Sequence, residues 1–148
     1  MVVRSLRMKG FRKLVTQKIF NCEYYIPTED TCGKNTPLQA IHWALDEFYY
    51  GSYNEDYLIK SLNDPDFDIL GGNEGFIQKV GTMIELYTPH DELSFKPGET
   101  ATPSAIVSIE NLKVLAQDWK QLYEKDAPVI YLIVEDNGWV TLRERLEE

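Results

Sequence analysis

The clearest pattern of hydrophobic and polar positions lies between Ser108 and Leu142. Apolar side chains recur in its first half at the three- and four-residue spacing of a helix face, and Ser108 is suited to cap that helix. Pro128 prevents continuation because it lacks a backbone N–H. The run from Val129 to Val134 is β-branched and aromatic, which is typical of a strand covered on both faces. The pattern predicts a helix followed by a buried strand.

A hairpin is predicted to follow that strand. Asp136-Asn137-Gly138 is a strong turn signal, because Asn and Gly tolerate the positive φ that a tight hairpin needs. Residues 139–142 then give the return strand.

The pattern also predicts five elements upstream. They are a strand from Leu14 to Ile26, a helix from Pro37 to about Tyr50, a helix from Asn54 to Leu62, one long strand or two strands bent at Gly81 between Phe76 and Tyr87, and a short strand from Ser104 to Ser108. This order favours an α+β fold with a mostly antiparallel sheet, about three helices and a C-terminal β-hairpin. We expect a single domain over residues 14–148, preceded by a basic arm over residues 1–13 that is flexible or loosely docked.

Charge separates the N-terminus from the rest of the chain. The net charge is −9, yet six basic residues precede the first acid, Glu23. Residues 23–148 therefore carry 9 basic and 24 acidic residues, a net charge of −15. Such a body repels nucleic acids and anionic membranes and attracts a basic protein partner. The alternative is that the acidic excess serves only solubility.

The sequence contains no pattern that predicts a membrane-spanning or secretory segment. No apolar run reaches the roughly 20 residues that span a bilayer. Basic residues interrupt every candidate for the apolar stretch of about 7–15 residues in a secretory signal. We therefore expect a cytoplasmic protein in which Cys22 and Cys32 are reduced thiols.

Candidate catalytic and metal-binding groups are few. Cys32 could act as a nucleophile with His42 or His90 as its base, although no local motif supports this pairing. Asp64, Asp66 and Asp68 alternate like the start of a calcium loop, but Ile69 occupies the position that requires glycine and Gly75 the position that requires glutamate. The sequence therefore predicts no cofactor and no metal site.

Acidic residues alternate with tyrosines at the junction of the first two predicted helices. Tyrosines are rigid anchors at protein interfaces, and carboxylates attract a basic partner. The predicted partner-binding residues are Asp46, Glu47, Tyr49, Tyr50, Tyr53, Glu55, Asp56 and Tyr57, together with Asp64, Asp66 and Asp68. The alternative is that half of the tyrosines pack inward and the acids only solvate the junction.

The segment from Ile106 to Leu142 resembles small immunity proteins of bacterial polymorphic-toxin and contact-dependent inhibition systems. The resemblance rests on the helix that carries Asn111-Leu112 and Asp118-Trp119, the apolar strand, and the turn and strand at residues 136–142. It implies an acidic cytoplasmic protein that binds a toxin or effector domain, often a basic nuclease, and blocks it by occlusion. No shared motif assigns interface residues.

Three functions stay open on this basis. The first is a non-enzymatic, toxin-neutralising binding protein. The second is a small hydrolase or thiol enzyme that uses Cys32 with His42 or His90. The third is a structural or regulatory subunit that oligomerises through the sheet edge at residues 129–134.

Overall fold

The computed structural model describes residues 11–15, 22–27, 36–48, 57–71, 75–87, 103–125, 127–135 and 137–145. Its elements, in chain order, are β1 Phe11–Val15, β2 Cys22–Pro27, α1 Thr36–Asp46, α2 Tyr57–Leu62, β3 Ile69–Gly71, β4 Phe76–Val80, β5 Met83–Tyr87, β6 Ala105–Ser108, α3 Ile109–Glu124, β7 Ile130–Val134 and β8 Val140–Arg143. The α+β class, the helices in the described part of the chain and the C-terminal hairpin are as predicted.

The chain divides into two compact units. The terminal unit comprises residues 1–35 and 118–148, and the central unit comprises residues 36–117, so the division falls within α3. Pairing between strands is mostly antiparallel, as predicted, but the strands form two four-stranded sheets. The sequence pattern did not indicate this second sheet.

The sheet of the terminal unit has the strand order β1-β2-β7-β8. β1 and β2 pair antiparallel, so the prediction of one strand from Leu14 to Ile26 is wrong. β1 ends at Val15, just before the polar residues Thr16, Gln17 and Lys18, and β2 begins at Cys22. β1 includes residues 11–13, which had been assigned to the basic arm; residues 1–10 lie outside the described residues.

β7 is an interior strand of this sheet, parallel to β2 and antiparallel to β8. Ile130, Leu132 and Ile133 are buried, in agreement with the continuous apolar run. A parallel pair needs a long crossover connection, and here the chain between β2 and β7 contains the whole central unit. The hypothesis of an oligomer edge at residues 129–134 is therefore wrong, because β7 has a strand on each side.

The hairpin between β7 and β8 closes through the predicted turn. Gly138 has a φ of +90°, and its N–H donates to the carbonyl oxygen of Glu135 at 2.9 Å. The Asn137 side-chain oxygen accepts from the N–H of Trp139 at 2.9 Å. On the sheet surface, the Glu135 carboxylate accepts from the Thr141 hydroxyl at 2.9 Å and lies 3.4 Å from the Arg143 guanidinium.

The sheet of the central unit is wholly antiparallel, in the order β3-β4-β5-β6. β4 and β5 form a hairpin whose two-residue loop, Gly81-Thr82, has a φ of +64° at Gly81. Of the two predicted alternatives for residues 76–87, two strands are confirmed, and the chain reverses at Gly81 instead of bending. β3 was not predicted, since three residues are too short for an alternation to show.

One face of this sheet forms the core of the central unit. Its apolar residues alternate along the strands and are buried: Leu70, Ile77, Ile84, Leu86, Ala105 and Val107. Helix α1 packs against β5 and β6, and its own apolar residues, among them Ile41 and Leu45, are buried. The predicted strand at residues 104–108 is confirmed as β6.

Helix α3 follows β6 without a loop. The Ser108 hydroxyl accepts from the N–H of Asn111 at 3.0 Å, so Ser108 is the predicted N-cap. The N–H of Ile109 donates to the carbonyl oxygen of Thr82 at 2.9 Å, which ties the start of the helix to the β4–β5 loop. Two of the four N–H groups that a helix start leaves without an internal partner are thereby satisfied.

Candidate protein-binding site

The two units differ sharply in charge. The central unit contains 13 acidic and 4 basic residues, a net charge of −9, whereas the terminal unit contains 11 of each and is neutral. The whole net charge of the protein therefore belongs to residues 36–117. The six basic residues of the N-terminus are balanced by acidic residues of the same terminal unit.

A short acidic turn connects α2 to β3. We use the name acidic turn for residues 64–68; its three carboxylates, those of Asp64, Asp66 and Asp68, are all exposed. The side chain of Asp64 accepts from the N–H of Asp66 at 2.9 Å, and its carbonyl oxygen accepts from the N–H of Phe67 at 3.0 Å. Asp64 therefore helps to form the turn, because its side chain bonds to the backbone two residues on.

Lys79 is the basic residue that holds this turn. Its backbone N–H donates to the carbonyl oxygen of Asp68 at 2.8 Å, and its ammonium group lies 3.5 Å from the carbonyl oxygen of Pro65. The ammonium therefore contacts the backbone of the turn, and the three carboxylates remain on the surface. Within the described part of the chain, no group of three or more His, Cys, Asp or Glu residues is placed to hold a metal ion.

The remaining predicted partner-binding residues lie where α1 ends and α2 begins. Asp46 and Glu47 are half-buried, and Tyr57 is exposed. All three interact with other groups of the chain. The other members of the predicted set, Tyr49, Tyr50, Tyr53, Glu55 and Asp56, lie outside the described residues. The structure brings Tyr57 and the acidic turn into one segment, the helix α2 and the turn that follows it.

The surface of the central sheet opposite its core carries a feature that the sequence did not reveal. Alternate residues of the four strands form this surface, which we call the outer face: Ile69, Phe76, Gln78, Val80, Met83, Glu85, Tyr87, Ile106 and Ser108. Four aliphatic side chains on it are exposed, namely Ile106 by 55%, Ile69 by 53%, Val80 by 48% and Met83 by 37%. One feature of the sequence is consistent with this surface: between residues 76 and 87, apolar residues occur at both the even-numbered and the odd-numbered positions.

Two aromatic rings lie at one end of the outer face. Phe76 and Tyr87 are directly opposite one another on β4 and β5, and their rings stack with centroids 4.6 Å apart and an angle of 13° between the planes. Both side chains are half-buried. The pair thus adds a flat apolar area to the aliphatic side chains of the same face.

Glu85 lies in the middle of the outer face, in a row across the sheet that runs Ile69, Gln78, Glu85, Ile106. The Tyr87 hydroxyl donates to one carboxylate oxygen of Glu85 at 2.7 Å. Burial, and then the hydrogen bond to Glu85 and its negative charge, raise the pKa of Tyr87 to about 12. Tyr87 is therefore protonated throughout the physiological range and fixes the orientation of the Glu85 carboxylate.

The candidate catalytic residues are not gathered into a site by the described residues. His42 lies on the buried side of α1 with 3% of its surface exposed, and it interacts with other groups of the chain. Burial of this kind is typical of a structural histidine. Cys32 and His90 lie outside the described residues. None of the helices in the described ranges is long and apolar enough to cross a membrane.

Comparisons with protein-family models, with characterised proteins and with solved structures gave no match to this chain. Functional inference therefore depends on the surface of the central unit.

Proposed function

We propose that this chain is a non-enzymatic, acidic binding protein that neutralises a basic toxin or effector domain, such as a nuclease, by covering its active surface. In this proposal it is a bacterial immunity protein that works in the cytoplasm. The supporting observation is that the central unit carries the full net charge of −9 and presents the three carboxylates of the acidic turn to solvent. A basic partner is attracted to such a surface before contact, and an acidic or neutral one is not.

Affinity purification from the native cell, followed by mass spectrometry, is the first test. We expect one stoichiometric partner with a basic domain, and its binding should weaken as the salt concentration rises, because exposed charges are screened within about 8–10 Å at physiological ionic strength. The recovery of no stoichiometric partner, together with no salt-sensitive binding to purified basic nuclease domains, would falsify the proposal.

A charge variant tests the role of the central unit directly. Replacing Asp64, Asp66 and Asp68 together by Asn removes three charges but keeps the side-chain oxygen that accepts from the N–H of residue 66. We expect the association rate with the recovered partner to fall several-fold at low salt and the effect to fade at high salt.

The matched control removes the same number of charges from the terminal unit, by replacing Glu124, Glu147 and Glu148 with Gln. Both variants have a net charge of −6. Equal effects of the two would mean that only total charge matters, and the assignment of binding to the central unit would then be wrong.

A further inference from the structure

We infer that the outer face of the central sheet is the surface on which the basic partner docks. Its aliphatic side chains and the Phe76–Tyr87 pair would bury against an apolar part of that partner, and Glu85 would receive a lysine or arginine side chain. This inference rests on the proposed function and adds to it the surface and the chemistry of the contact.

The apolar side chains on this face are unusually exposed. An antiparallel sheet commonly packs one face on the core and presents polar residues on the other. Here Ile69 and Ile106, at opposite edges of the sheet, are each more than half exposed, and Val80 and Met83 extend the apolar area to the β4–β5 loop. Four exposed apolar side chains on one face, arranged around Gln78 and Glu85, are more than such a face usually carries and indicate an interaction surface.

Glu85 is positioned by its neighbours on the outer face. One of its oxygens accepts the Tyr87 hydroxyl at 2.7 Å, so the carboxylate is held in a fixed position between Gln78 and Ile106. A partner that covers the neighbouring apolar side chains also excludes water from Glu85, which strengthens a hydrogen bond from a cationic group. Aromatic residues and methionine are enriched at the core of protein interfaces, and the outer face supplies Phe76, Tyr87 and Met83.

Charge decides which occupant this face accepts. In a dimer that pairs the two outer faces, a second copy would bring another central unit of charge −9 against the first and place its own Glu85 on the same interface. A basic protein meets the opposite situation, since the acidic turn lies directly before Ile69 at the edge of the face and supplies a negative rim. The face therefore fits a basic protein and disfavours self-association.

Photo-crosslinking from single positions in the full-length protein is the test of location. A benzophenone amino acid replaces Ile106 or Ile69 on the outer face, and in the control it replaces Val114, which is exposed on α3. We expect the two outer-face positions to cross-link in the native cell to the same basic protein that affinity purification recovers. Val114 should not.

Binding constants with that purified partner then test the chemistry. Ile106→Thr keeps a β-branched residue suited to a strand, and Glu85→Gln keeps an oxygen for the Tyr87 hydroxyl, so both proteins should unfold at the denaturant concentration of the wild type. We expect each to bind the partner about tenfold more weakly, the scale of an important interface side chain. Val114→Thr is the matched control and should bind like the wild type.

The outcomes separate this inference from the proposed function. If a basic partner is recovered but is cross-linked only from Val114, or binds Ile106→Thr and Glu85→Gln at wild-type strength, the docking face is wrong and the proposed function stands. A cross-link from Ile106 to a second copy, or back to the same chain, also overturns the docking face. If no basic partner is recovered at all, the proposed function fails and this inference fails with it.

Discussion

The cost of a left-handed backbone can be measured at the loop between β4 and β5 without a contribution from side-chain packing. Gly81 has a φ of +64°, and a Cβ added there would meet no atom within 4 Å. Replacing Gly81 by Ala therefore creates no clash, and the whole effect comes from backbone conformation. Left-handed backbone costs an L residue ~1–2 kcal/mol, because its Cβ approaches the following carbonyl oxygen.

The unfolded chain partly offsets this cost. Alanine has fewer unfolded conformations than glycine, which stabilises the native state by ~0.4–1 kcal/mol where the native φ suits alanine. Gly71 provides the matched control in the same unit, since its φ is outside the positive range and its added Cβ also meets nothing within 4 Å. The unfolded-state gain is similar in both variants, so the difference between them isolates the strain.

We expect Gly71→Ala to raise the free energy of unfolding by about 0.4–1 kcal/mol and Gly81→Ala to lower it by up to about 1.6 kcal/mol, a difference of ~1–2 kcal/mol. Urea unfolding followed by tryptophan fluorescence measures both, with the slope m unchanged between variants. Equal stability of the two variants would refute the reasoning, because strain at Gly81 could not then explain why the loop has glycine at that position.

Three further predictions use other features of the structure. Tyr87 has a pKa of about 12 in the folded protein and an ordinary pKa of 10.0, so its stabilising effect should be complete below pH 10 and be lost between pH 10 and 12. Urea unfolding across that range should show the stability of the wild type falling relative to that of Tyr87→Phe, and a constant difference would contradict the assignment. Burial raises the pKa of Asp118 above 3.8, because it disfavours the charged carboxylate. The folded state therefore loses stability as the pH rises through that pKa. Asp118→Asn removes this loss, so it should raise the urea midpoint at pH 7 more than at pH 3. Ile77 is fully buried, so Ile77→Ala should lower the free energy of unfolding by about 2–5 kcal/mol, whereas Ile69→Ala, at an exposed position, should cost less than about 1 kcal/mol by the same measurement.

Part of the candidate site could be predicted from sequence because it depends on local composition. The sequence predicts Asp64, Asp66 and Asp68 as partner-binding residues, which requires exposed carboxylates, and all three are exposed. The outer face could not be predicted in this way. Ile69 and Ile106 are separated by 36 other residues and become parts of one row only through pairing across β4 and β5.

The sequence by itself determined the elements whose signals are local. The Ser108 cap, the spacing of apolar residues along α3, and the glycine turn at residue 138 each depend on atoms within a few positions of one another, and all three are present in the structure. Side-chain chemistry and backbone sterics act over the same short distance, so the pattern of residues is enough to specify such features.

Only the tertiary structure decided how the strands pair and which surfaces result. An alternating pattern gives a strand two faces but does not say which partner lies beside it or which face is covered. For this reason the pairing of β2 with β7, the division into two sheets and the concentration of net charge in residues 36–117 were not readable from the sequence. Each of these features depends on contacts between segments far apart in the chain. Alternative pairings of the same strands carry the same local signals and differ only in how much surface they bury.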